Sequence, residues 1–228
     1  MGDSTKWIPM ESNPEVMNKF LYELGLPKEW NIVDVLGLDE ALLAMVPRPV
    51  LAVILLFPLG DKANIEENPI GTLKQEDNVY FLKQTIRNAC GTIALIHAIG
   101  NNAKSLNLES DSILSKFLIK TKDETPITRG KILESDMCFS SAHQQYAEEG
   151  QTQVPDINVD VNLHFVTFVH VDGRLYELDG RKESPVDHGA TTPETLLNDA
   201  CRICEKFMAR DPSNVNFSVV ALTGVETN

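Results

Sequence analysis

The chain has 228 residues, 43% of them hydrophobic and 23% charged, and its formal net charge at pH 7 is −13. This composition is typical of a globular protein with one domain or two small ones. The negative charge argues against binding to nucleic acid or to an anionic membrane surface, and no apolar run reaches the ~18 residues that a membrane-spanning helix needs. The same charge would attract a basic partner, although solubility alone also explains it.

The first residues and the cysteines bear on the compartment. The opening "MGDSTKWIPM" has no cationic segment followed by an apolar one, so it does not resemble a secretory signal. We therefore expect a cytoplasmic protein, with the nucleus as a further location. Cysteines in these compartments stay reduced, and a disulfide framework is not expected.

The first part of the chain predicts two helices and a strand. Asn13 can cap a helix that Gly25 ends in a left-handed conformation, and a second, shorter helix begins at Asp39. "VLAVILLF", residues 50–57, is apolar on both faces and is typical of a buried central strand. Residues 60–78 are polar with glycine and proline, which predicts a surface loop.

The apolar stretch "CGTIALIHAI" predicts a buried helix that begins at Cys90. The helix is expected to end at about Ile99, because the residues "GNN" at 100–102 favour a stop. A further helix is predicted to begin at Ser110 or Asp111.

The last part of the chain starts with an irregular segment. From 140 to 162 the sequence has almost no apolar periodicity, and a loop of about 20 residues in a compact domain is usually functional. Two β-rich runs then flank the Asp-Gly pair at 172–173, a strong hairpin signal. A long helix over 191–211 and a strand over 216–225 complete one α/β domain that spans residues 1–228.

Cys90 stands at the start of the predicted apolar helix, where unpaired backbone N–H groups carry positive partial charge. A thiolate there is stabilised, which lowers the pKa of the thiol and raises its reactivity. Free cysteine is also among the most buried residue types, so position alone leaves a nucleophile and a core residue equally open. Cys201 and Cys204 form a CxxC pair with no second pair nearby, which favours core packing and predicts neither a metal nor a cofactor.

The nearest histidine cannot act as a base for Cys90. His97 lies seven residues later, about two helical turns and ~10.5 Å along the axis. A general base must come within about 3 Å of the proton it takes, so His97 is predicted to be a core histidine. His143 and His188 are expected to be solvated, and His170 is expected to be structural.

The hairpin offers a better base. If the Asp-Gly pair at 172–173 is a two-residue turn, Val171 opposes Arg174, and His164 lies diagonally from Asp179 on the same face. Their Cβ atoms would then be ~7 Å apart or a little less, within reach of an imidazole–carboxylate hydrogen bond. A three-residue loop with a bulge would put the two side chains on opposite faces. With the shorter turn, a nucleophile, a base and an orienting carboxylate are available in the order Cys, His, Asp.

Acyl transfer also needs hydrogen-bond donors for the oxyanion. One candidate is the backbone N–H of Cys90. A second is the side-chain amide of Gln84, six residues upstream, although glutamine is common and the spacing alone is weak support.

Three stretches resemble the ubiquitin carboxyl-terminal hydrolases of the UCH family: "QTIRNACGTIALIHA", the hairpin "LHFVTFVHVDGRLYELDGR" and the opening "WIPMESNPEV". The resemblance runs from Trp7 to about Leu222 and is to the short, single-domain type. It implies a papain-like cysteine protease fold of the α/β (α+β) class, with a central, mostly antiparallel sheet flanked by helices. It also implies a knotted chain path, an exception to the rule that chains do not thread.

The resemblance implies roles for four residues: Cys90 as nucleophile, His164 as general base and then acid, Asp179 as its orienting group, and Gln84 in the oxyanion hole. The implied activity is that of a deubiquitinating thiol hydrolase. It would cleave small or flexible adducts from the C-terminal glycine of ubiquitin through a thioester. The segment 140–162 corresponds to the family's crossover loop over the active site, which would exclude large folded conjugates.

Ubiquitin, or a related ubiquitin-like modifier, is the partner that the resemblance implies for a monomeric protein. In such enzymes the basic tail and face of ubiquitin dock on an acidic surface, which gives the charge of −13 a purpose beyond solubility. The positions that match ubiquitin-contacting residues of the family are Pro9, Met10, Glu11, Ser12, Asn13, Glu15, Asp34, Ala147, Gln151, Val154, Asn214 and Phe217.

Two other functions are compatible with these features. A non-catalytic protein that binds and stabilises free ubiquitin would use the acidic face alone, but the intact set of Gln84, Cys90, His164 and Asp179 argues against it. A general papain-like peptidase would cleave unrelated peptides.

Overall fold

The computed structural model describes residues 5–60, 70–151 and 161–225. Its centre is a seven-stranded sheet in the order β1-β7-β2-β4-β5-β6-β3, and every neighbouring pair is antiparallel. The strands are β1 (Trp30–Asp34), β2 (Val50–Pro58), β3 (Thr72–Leu73), β4 (Leu163–Val171), β5 (Arg174–Leu178), β6 (Val186–Ala190) and β7 (Ser218–Gly224). The helices are α1 (Pro14–Glu23), α2 (Glu40–Leu43), α3 (Cys90–Leu106), α4 (Ile113–Thr121), α5 (Pro126–Glu134), α6 (Met137–Ala147) and α7 (Leu196–Met208).

The sheet is covered on both faces, and its middle strand β2 is buried as predicted. Ala52 and Ile54 of β2 face a core built with α1, α3 and α4, whereas Val53 and Leu55 face a core built with α2 and α7. A strand that is apolar at successive positions is what burial on both faces requires. The α/β class with helices flanking an antiparallel sheet is therefore confirmed, whereas the knotted chain path stays a prediction.

Strands β4 and β5 form the predicted hairpin with a two-residue turn. Asp172 and Gly173 have φ angles of 48° and 78°, the left-handed conformations that a tight turn between twisted strands needs. Val171 pairs with Arg174, and the pairing continues in that register along the hairpin.

Helix α3 continues to Leu106, so the predicted end near Ile99 is wrong. Asn101 and Asn102 remain helical because each side-chain amide donates to the carbonyl oxygen four residues before it, at 2.8 and 2.9 Å. The same two amides also donate to backbone carbonyls of neighbouring segments. The left-handed residue that ends the helix is Asn107, with φ of 51°.

The prediction of an irregular segment from residue 140 is wrong over its first part, which belongs to α6. The Asp136 carboxylate caps this helix by accepting two backbone N–H bonds. Its buried face includes a histidine, and this polar residue masked the helical period in the sequence; the buried residues are Phe139, Ala142, His143 and Ala147. Residues 152–160, nine of the 23 residues of the predicted crossover loop, lie outside the described residues.

Other helix and loop boundaries also shift. Helix α4 begins at Ile113 with Ser112 as its cap, slightly later than predicted. Helix α7 begins at Leu196, because the hydroxyls of Thr192 and Thr195 each accept the other residue's backbone N–H in a turn before it. The predicted surface loop contains the short strand β3, and its residues 61–69 are not described.

Strand β1 was not predicted and forms one edge of the sheet. Asn18 of α1 closes this edge: its amide nitrogen donates to the Ile32 carbonyl at 2.9 Å, and its amide oxygen accepts the Ile32 N–H at 2.6 Å. A helix side chain thus supplies the partners that an edge strand otherwise leaves unpaired.

Gly130 in α5 offers a test of how closely the helices pack on the segment before α3. A Cβ at this position would lie 2.2 Å from the Lys83 carbonyl oxygen, which is backbone and cannot move aside. Alanine normally stabilises a helix relative to glycine. We nevertheless expect Gly130→Ala to lower the free energy of unfolding by about 1–3 kcal/mol, as overpacking does, measured by urea denaturation.

The matched control is Lys131→Ala, at an exposed position of the same helix, which should change the free energy of unfolding by at most about 0.5 kcal/mol. Stabilisation by Gly130→Ala would contradict the packing described for α5.

Candidate active site

Cys90 is the first residue of α3, at the end of the helix that faces β4. The residues that follow it are buried all around the helix, so α3 is a core helix as the sequence predicts. Cys90 itself is only partly buried and is a free thiol. The structure therefore places a partly buried free thiol at the N-terminus of a helix whose following turns are fixed in the core.

His164 on β4 and Asp179 just after β5 meet across the hairpin. The His164 Nε2 atom lies 2.7 Å from Asp179 Oδ1, which confirms the geometry derived from the two-residue turn. The same carboxylate oxygen accepts the Arg181 backbone N–H at 2.9 Å. The edge of the Phe57 ring packs on the imidazole, with centroids 5.9 Å apart, so the His164 ring is held on two sides.

The Cys90 thiol and the His164 imidazole form a side-chain hydrogen bond. Because Asp179 occupies Nε2, the ring atom available to the sulfur is Nδ1. A nucleophile, a base and an orienting carboxylate are thus connected in one chain of hydrogen bonds.

The electrostatics of these hydrogen-bonded side chains favour a thiolate on Cys90 beside an imidazolium on His164. Burial alone raises the pKa of Cys90, but the hydrogen bond from His164 and its charge outweigh that effect and leave the pKa below its ordinary value. Burial lowers the pKa of His164, but its bonds to Asp179 and Cys90 raise it to about 9. Burial raises the pKa of Asp179, and the bond to His164 more than offsets this, so its pKa is lowered and the carboxylate is ionised.

Gln84 joins these residues through the segment that precedes α3. Its backbone N–H donates to the Gly180 carbonyl at 2.8 Å, and a Cβ at Gly180 would lie 3.1 Å from the Gln84 nitrogen. Glycine thus permits the close approach of the two segments. Gln84, Cys90 and His164 line a common cavity of about 510 Å³, so the structure brings all four predicted catalytic residues together.

Lys83 holds the two segments together and was not predicted. Its ammonium donates to the carbonyl oxygens of Arg181 and Lys182, at 3.3 and 2.8 Å, and to the Glu183 carboxylate at 2.9 Å. These acceptors follow Asp179 directly in the chain. No feature of the sequence indicates this role, because the acceptors are mainly backbone atoms nearly 100 residues away.

His97 is a core histidine, as predicted. Its Nε2 lies 3.1 Å from the Leu82 nitrogen and 3.2 Å from the Leu82 oxygen, and its ring stacks on Phe81. Burial lowers the pKa of His97 to about 4, so the ring is neutral. His170 accepts the Gly173 N–H at 3.1 Å, which confirms its structural role at the turn.

His143 is buried, so the prediction that it is solvated is wrong. Its Nε2 lies 2.6 Å from the Ile8 carbonyl oxygen and its Nδ1 lies 2.8 Å from the Thr92 hydroxyl. A carbonyl only accepts, so Nε2 carries the proton and Nδ1 accepts from Thr92. Burial lowers the pKa of His143 to about 4. This neutral ring ties α6 to the first turn of α3 and to the N-terminal segment.

His188 was also predicted to be solvated, and its side chain is only 1% exposed. Its Nε2 lies 2.9 Å from one Glu177 oxygen, and Lys182 pairs with the other. A buried carboxylate needs such partners. Glu177 stands two residues before Asp179 on the hairpin, so this cluster supports the strand that carries the orienting carboxylate.

Five of the predicted ubiquitin-contacting residues line a second cavity, to which Cys90 also contributes. It measures about 230 Å³, and Leu56, Leu163 and Phe165 give it an apolar wall. The five predicted residues are Pro9, Met10, Glu11, Ser12 and Ala147.

Three more predicted contacts, Asn13, Glu15 and Gln151, are close in the chain to residues that line this cavity. The Glu11 carboxylate accepts the Gln151 backbone N–H at 2.7 Å, so both residues lie where the chain leaves α6. Asn13 caps α1, and Glu15 is exposed on its first turn. Val154 lies outside the described residues.

The remaining predicted contacts lie where β1 and β7 end. Asp34 is exposed at the end of β1, while Asn214 and Phe217 precede β7. The hydroxyls of Ser12 and Ser218, 2.9 Å apart, join the N-terminal segment to the start of β7. This contact links the start of β7 to the N-terminal segment whose residues line the cavity at Cys90.

Cys201 and Cys204 are buried on α7, as core packing predicts. Burial raises the pKa of Cys201 to about 12, so it is an unreactive thiol. Among the described residues, no group of three or more His, Cys, Asp or Glu side chains is placed to hold a metal ion. In the same part of the chain, no helix is long and apolar enough to cross a membrane.

Known proteins resemble this chain in sequence and in fold. The sequence model of the family described as "Ubiquitin carboxyl-terminal hydrolase, family 1" matches residues 7–209. A ubiquitin carboxyl-terminal hydrolase of Aplysia californica is 49% identical over 214 residues, 93% of this chain and 99% of that protein. Human ubiquitin carboxyl-terminal hydrolase isozyme L1 is 48% identical over 218 residues, 94% of this chain and 96% of that protein.

Two solved structures share the fold. The catalytic domain of Trichinella spiralis UCH37, bound to ubiquitin vinyl methyl ester, superposes with a TM-score of 0.77 at 23% identity, over 99% of this chain and 97% of that one. A longer form of the same protein, bound to the same ester, superposes with a TM-score of 0.70 at 25% identity, over 96% of this chain and 82% of that one. The extent of the sequence matches leaves one conclusion: the chain belongs to the ubiquitin carboxyl-terminal hydrolases of family 1, which are thiol-dependent cysteine peptidases.

Proposed function

We propose that this enzyme hydrolyses bonds to the C-terminal glycine of ubiquitin through a thioester on Cys90. The observation that carries the proposal is the continuous hydrogen-bonded chain from Cys90 through His164 to Asp179. Cys90 lines two cavities, and His164 lines one of them. A substrate could enter from one side and its leaving group could depart from the other.

The reaction begins with attack of the Cys90 thiolate on the carbonyl carbon of the glycine. The carbon–sulfur bond forms while the carbonyl π electrons move to the oxygen. His164 enters this step as the imidazolium, since its pKa of about 9 keeps it protonated at neutral pH, and it gives its proton to the departing amine or alkoxide. Neutral His164 then takes a proton from water, which attacks the thioester and releases ubiquitin and the thiolate.

The oxyanion of both addition steps needs donors aimed at it. The backbone N–H of Cys90 points out of the N-terminus of α3, where it has no partner within the helix. The Gln84 amide nitrogen donates one N–H to the Ile86 carbonyl at 3.0 Å, which leaves its second N–H for the substrate. We assign both groups to the oxyanion hole.

Ubiquitin is the substrate that the relatives support. Two relatives are named as hydrolases acting at the ubiquitin carboxyl terminus, and the two similar structures carry ubiquitin vinyl methyl ester. In our proposal the C-terminal tail of ubiquitin occupies the apolar cavity beside Cys90. Its narrow volume of about 230 Å³ suits small residues such as glycine.

We further propose that the chain after α6 limits the size of the leaving group, in keeping with the crossover loop of the family. Small or flexible adducts would pass and large folded conjugates would not. Acceptance of a ubiquitin-like modifier, a monomeric state and a cytoplasmic or nuclear location remain predictions.

Replacement of the nucleophile tests the catalytic assignment. We expect Cys90→Ala to abolish hydrolysis of a fluorogenic ubiquitin C-terminal amide while ubiquitin still binds, because only the sulfur is lost. The matched control is Cys138→Ala, since Cys138 is an exposed free thiol; this variant should keep full turnover. Undiminished hydrolysis by Cys90→Ala would rule the mechanism out. A wild-type protein that binds ubiquitin yet forms no adduct with a C-terminal electrophile would favour the binding-only alternative.

Replacement of the orienting carboxylate tests the role of Asp179. We expect Asp179→Asn to lower kcat by about 10²–10⁴-fold with little change in ubiquitin affinity. The bond to Asp179 raises the pKa of His164, so its loss lowers that pKa and deprotonates the imidazolium at a lower pH. The alkaline limb of the rate–pH profile should therefore move to lower pH. Equal losses of kcat and affinity, with an unmoved alkaline limb, would contradict the assignment.

The acidic surface gives a third test. If exposed carboxylates such as Asp34 attract ubiquitin, raising the salt from about 0.05 to 0.5 M should weaken binding several-fold, because screening shortens the reach of exposed charges. Asp34→Asn should weaken binding and reduce this salt dependence, whereas Asp111→Asn, an exposed acid before α4, should leave both unchanged. An affinity independent of salt would remove the electrostatic part of the proposal.

A further inference from the structure

Asn88 lies in the segment between Gln84 and α3, and the contacts described above do not explain its backbone conformation or its side-chain environment. It precedes Cys90 by two positions, and its φ of 63° places it in the left-handed region. Its side-chain nitrogen is buried and has no hydrogen-bond partner among the described residues. Asn88 also lines both cavities that meet at Cys90.

Both features cost free energy in the absence of a ligand. A buried donor without an acceptor loses its bonds to water and gains none in return. A left-handed backbone is strained for residues other than glycine, although asparagine tolerates it better than most. Strained backbone and unpaired polar groups gather at functional sites, where a ligand completes them.

A comparison with Gln84 shows which side-chain N–H groups remain available to a ligand. The Gln84 nitrogen must face the Ile86 carbonyl, because a carbonyl oxygen only accepts, and this bond uses one of its two N–H groups. Both N–H groups of the Asn88 nitrogen are without an acceptor among the described residues. Asn88, which lines both cavities together with Cys90, therefore has more unused donor capacity than Gln84 has.

We propose that Asn88 is a third donor of the oxyanion hole and thus a catalytic residue. This inference rests on the proposed hydrolysis through Cys90. When the thiolate adds to the substrate carbonyl, the oxygen gains the π electron pair, and the Asn88 nitrogen donates a hydrogen bond to it. No proton leaves Asn88, and the bond weakens again when the carbonyl of the thioester re-forms.

The variant Asn88→Gly removes the amide and keeps the left-handed backbone, which glycine adopts freely. We expect it to lower kcat on a fluorogenic ubiquitin C-terminal amide by about 10²-fold, the usual loss for one oxyanion donor. The dissociation constant for ubiquitin should stay unchanged. The rate at which iodoacetamide alkylates Cys90, a reaction without a carbonyl oxyanion, should also stay unchanged, together with its pH dependence.

The matched control is Asn107→Gly. Asn107 is also left-handed, with φ of 51°, but it lies at the far end of α3, about 25 Å from Cys90 along the helix axis. This variant should keep the wild-type kcat. Asn88→Asp, which keeps the size but puts an anion beside the developing charge, should be slower than Asn88→Gly.

Three results would overturn the assignment: a kcat of Asn88→Gly within twofold of wild type, a loss confined to ubiquitin affinity, or alkylation that slows in parallel with turnover. The last of these would show that Asn88 only shapes the segment. Failure of the proposed function itself looks different, because the wild-type enzyme would then not cleave the substrate at all.

Discussion

The hydrogen bond between His164 and Asp179 is the interaction on which the site depends. It orients the imidazole, and together with the bond to Cys90 it overcomes the effect of burial and raises the pKa of His164 to about 9. The bond exists because the hairpin turns in two residues, so that the two side chains lie on one face of the sheet. One extra residue in that turn would move Asp179 to the opposite face and leave His164 without its anion.

The rest of the fold brings the nucleophile to this pair and holds it there. Helix α3 packs against β2 and β4 and presents Cys90 at its N-terminus, where the sulfur meets the imidazole. Lys83 and the close approach at Gly180 fix the segment before α3 to the turn that follows Asp179. His143 fixes the N-terminal segment to the first turn of the same helix. Separate parts of the chain are therefore held around one cysteine by hydrogen bonds between distant segments.

The local parts of this arrangement could be predicted from the sequence. The hairpin register follows from the turn at 172–173 and the strand period, and it places His164 beside Asp179. Helical spacing excludes His97 as the base, and the structure shows it bonded to Leu82 in the core. The resemblance to the family supplied the joint role of Cys90, His164, Asp179 and Gln84, which spacing alone did not establish.

The remaining parts depend on contacts between distant segments. Helix α3 continues beyond Asn101 and Asn102 because their side-chain amides donate hydrogen bonds to backbone carbonyls both in the helix and in neighbouring segments. Helix α6 was missed because a buried histidine is indistinguishable from a solvated one until its partners, Thr92 and Ile8, are known. The unpaired nitrogen of Asn88 likewise has no signature in the sequence, since only the fold buries it.

The most direct test of the account is an NMR titration of the His164 ring in the enzyme without ubiquitin, with the signals assigned by comparison with the Cys90→Ala and Asp179→Asn variants. A thiolate–imidazolium pair predicts a pKa of about 9 for His164 in the wild type and a lower value in each variant, since each removes a group that raises it. A wild-type pKa at or below about 6.5, the value of an unperturbed histidine, would contradict the thiolate–imidazolium pair at the centre of the account.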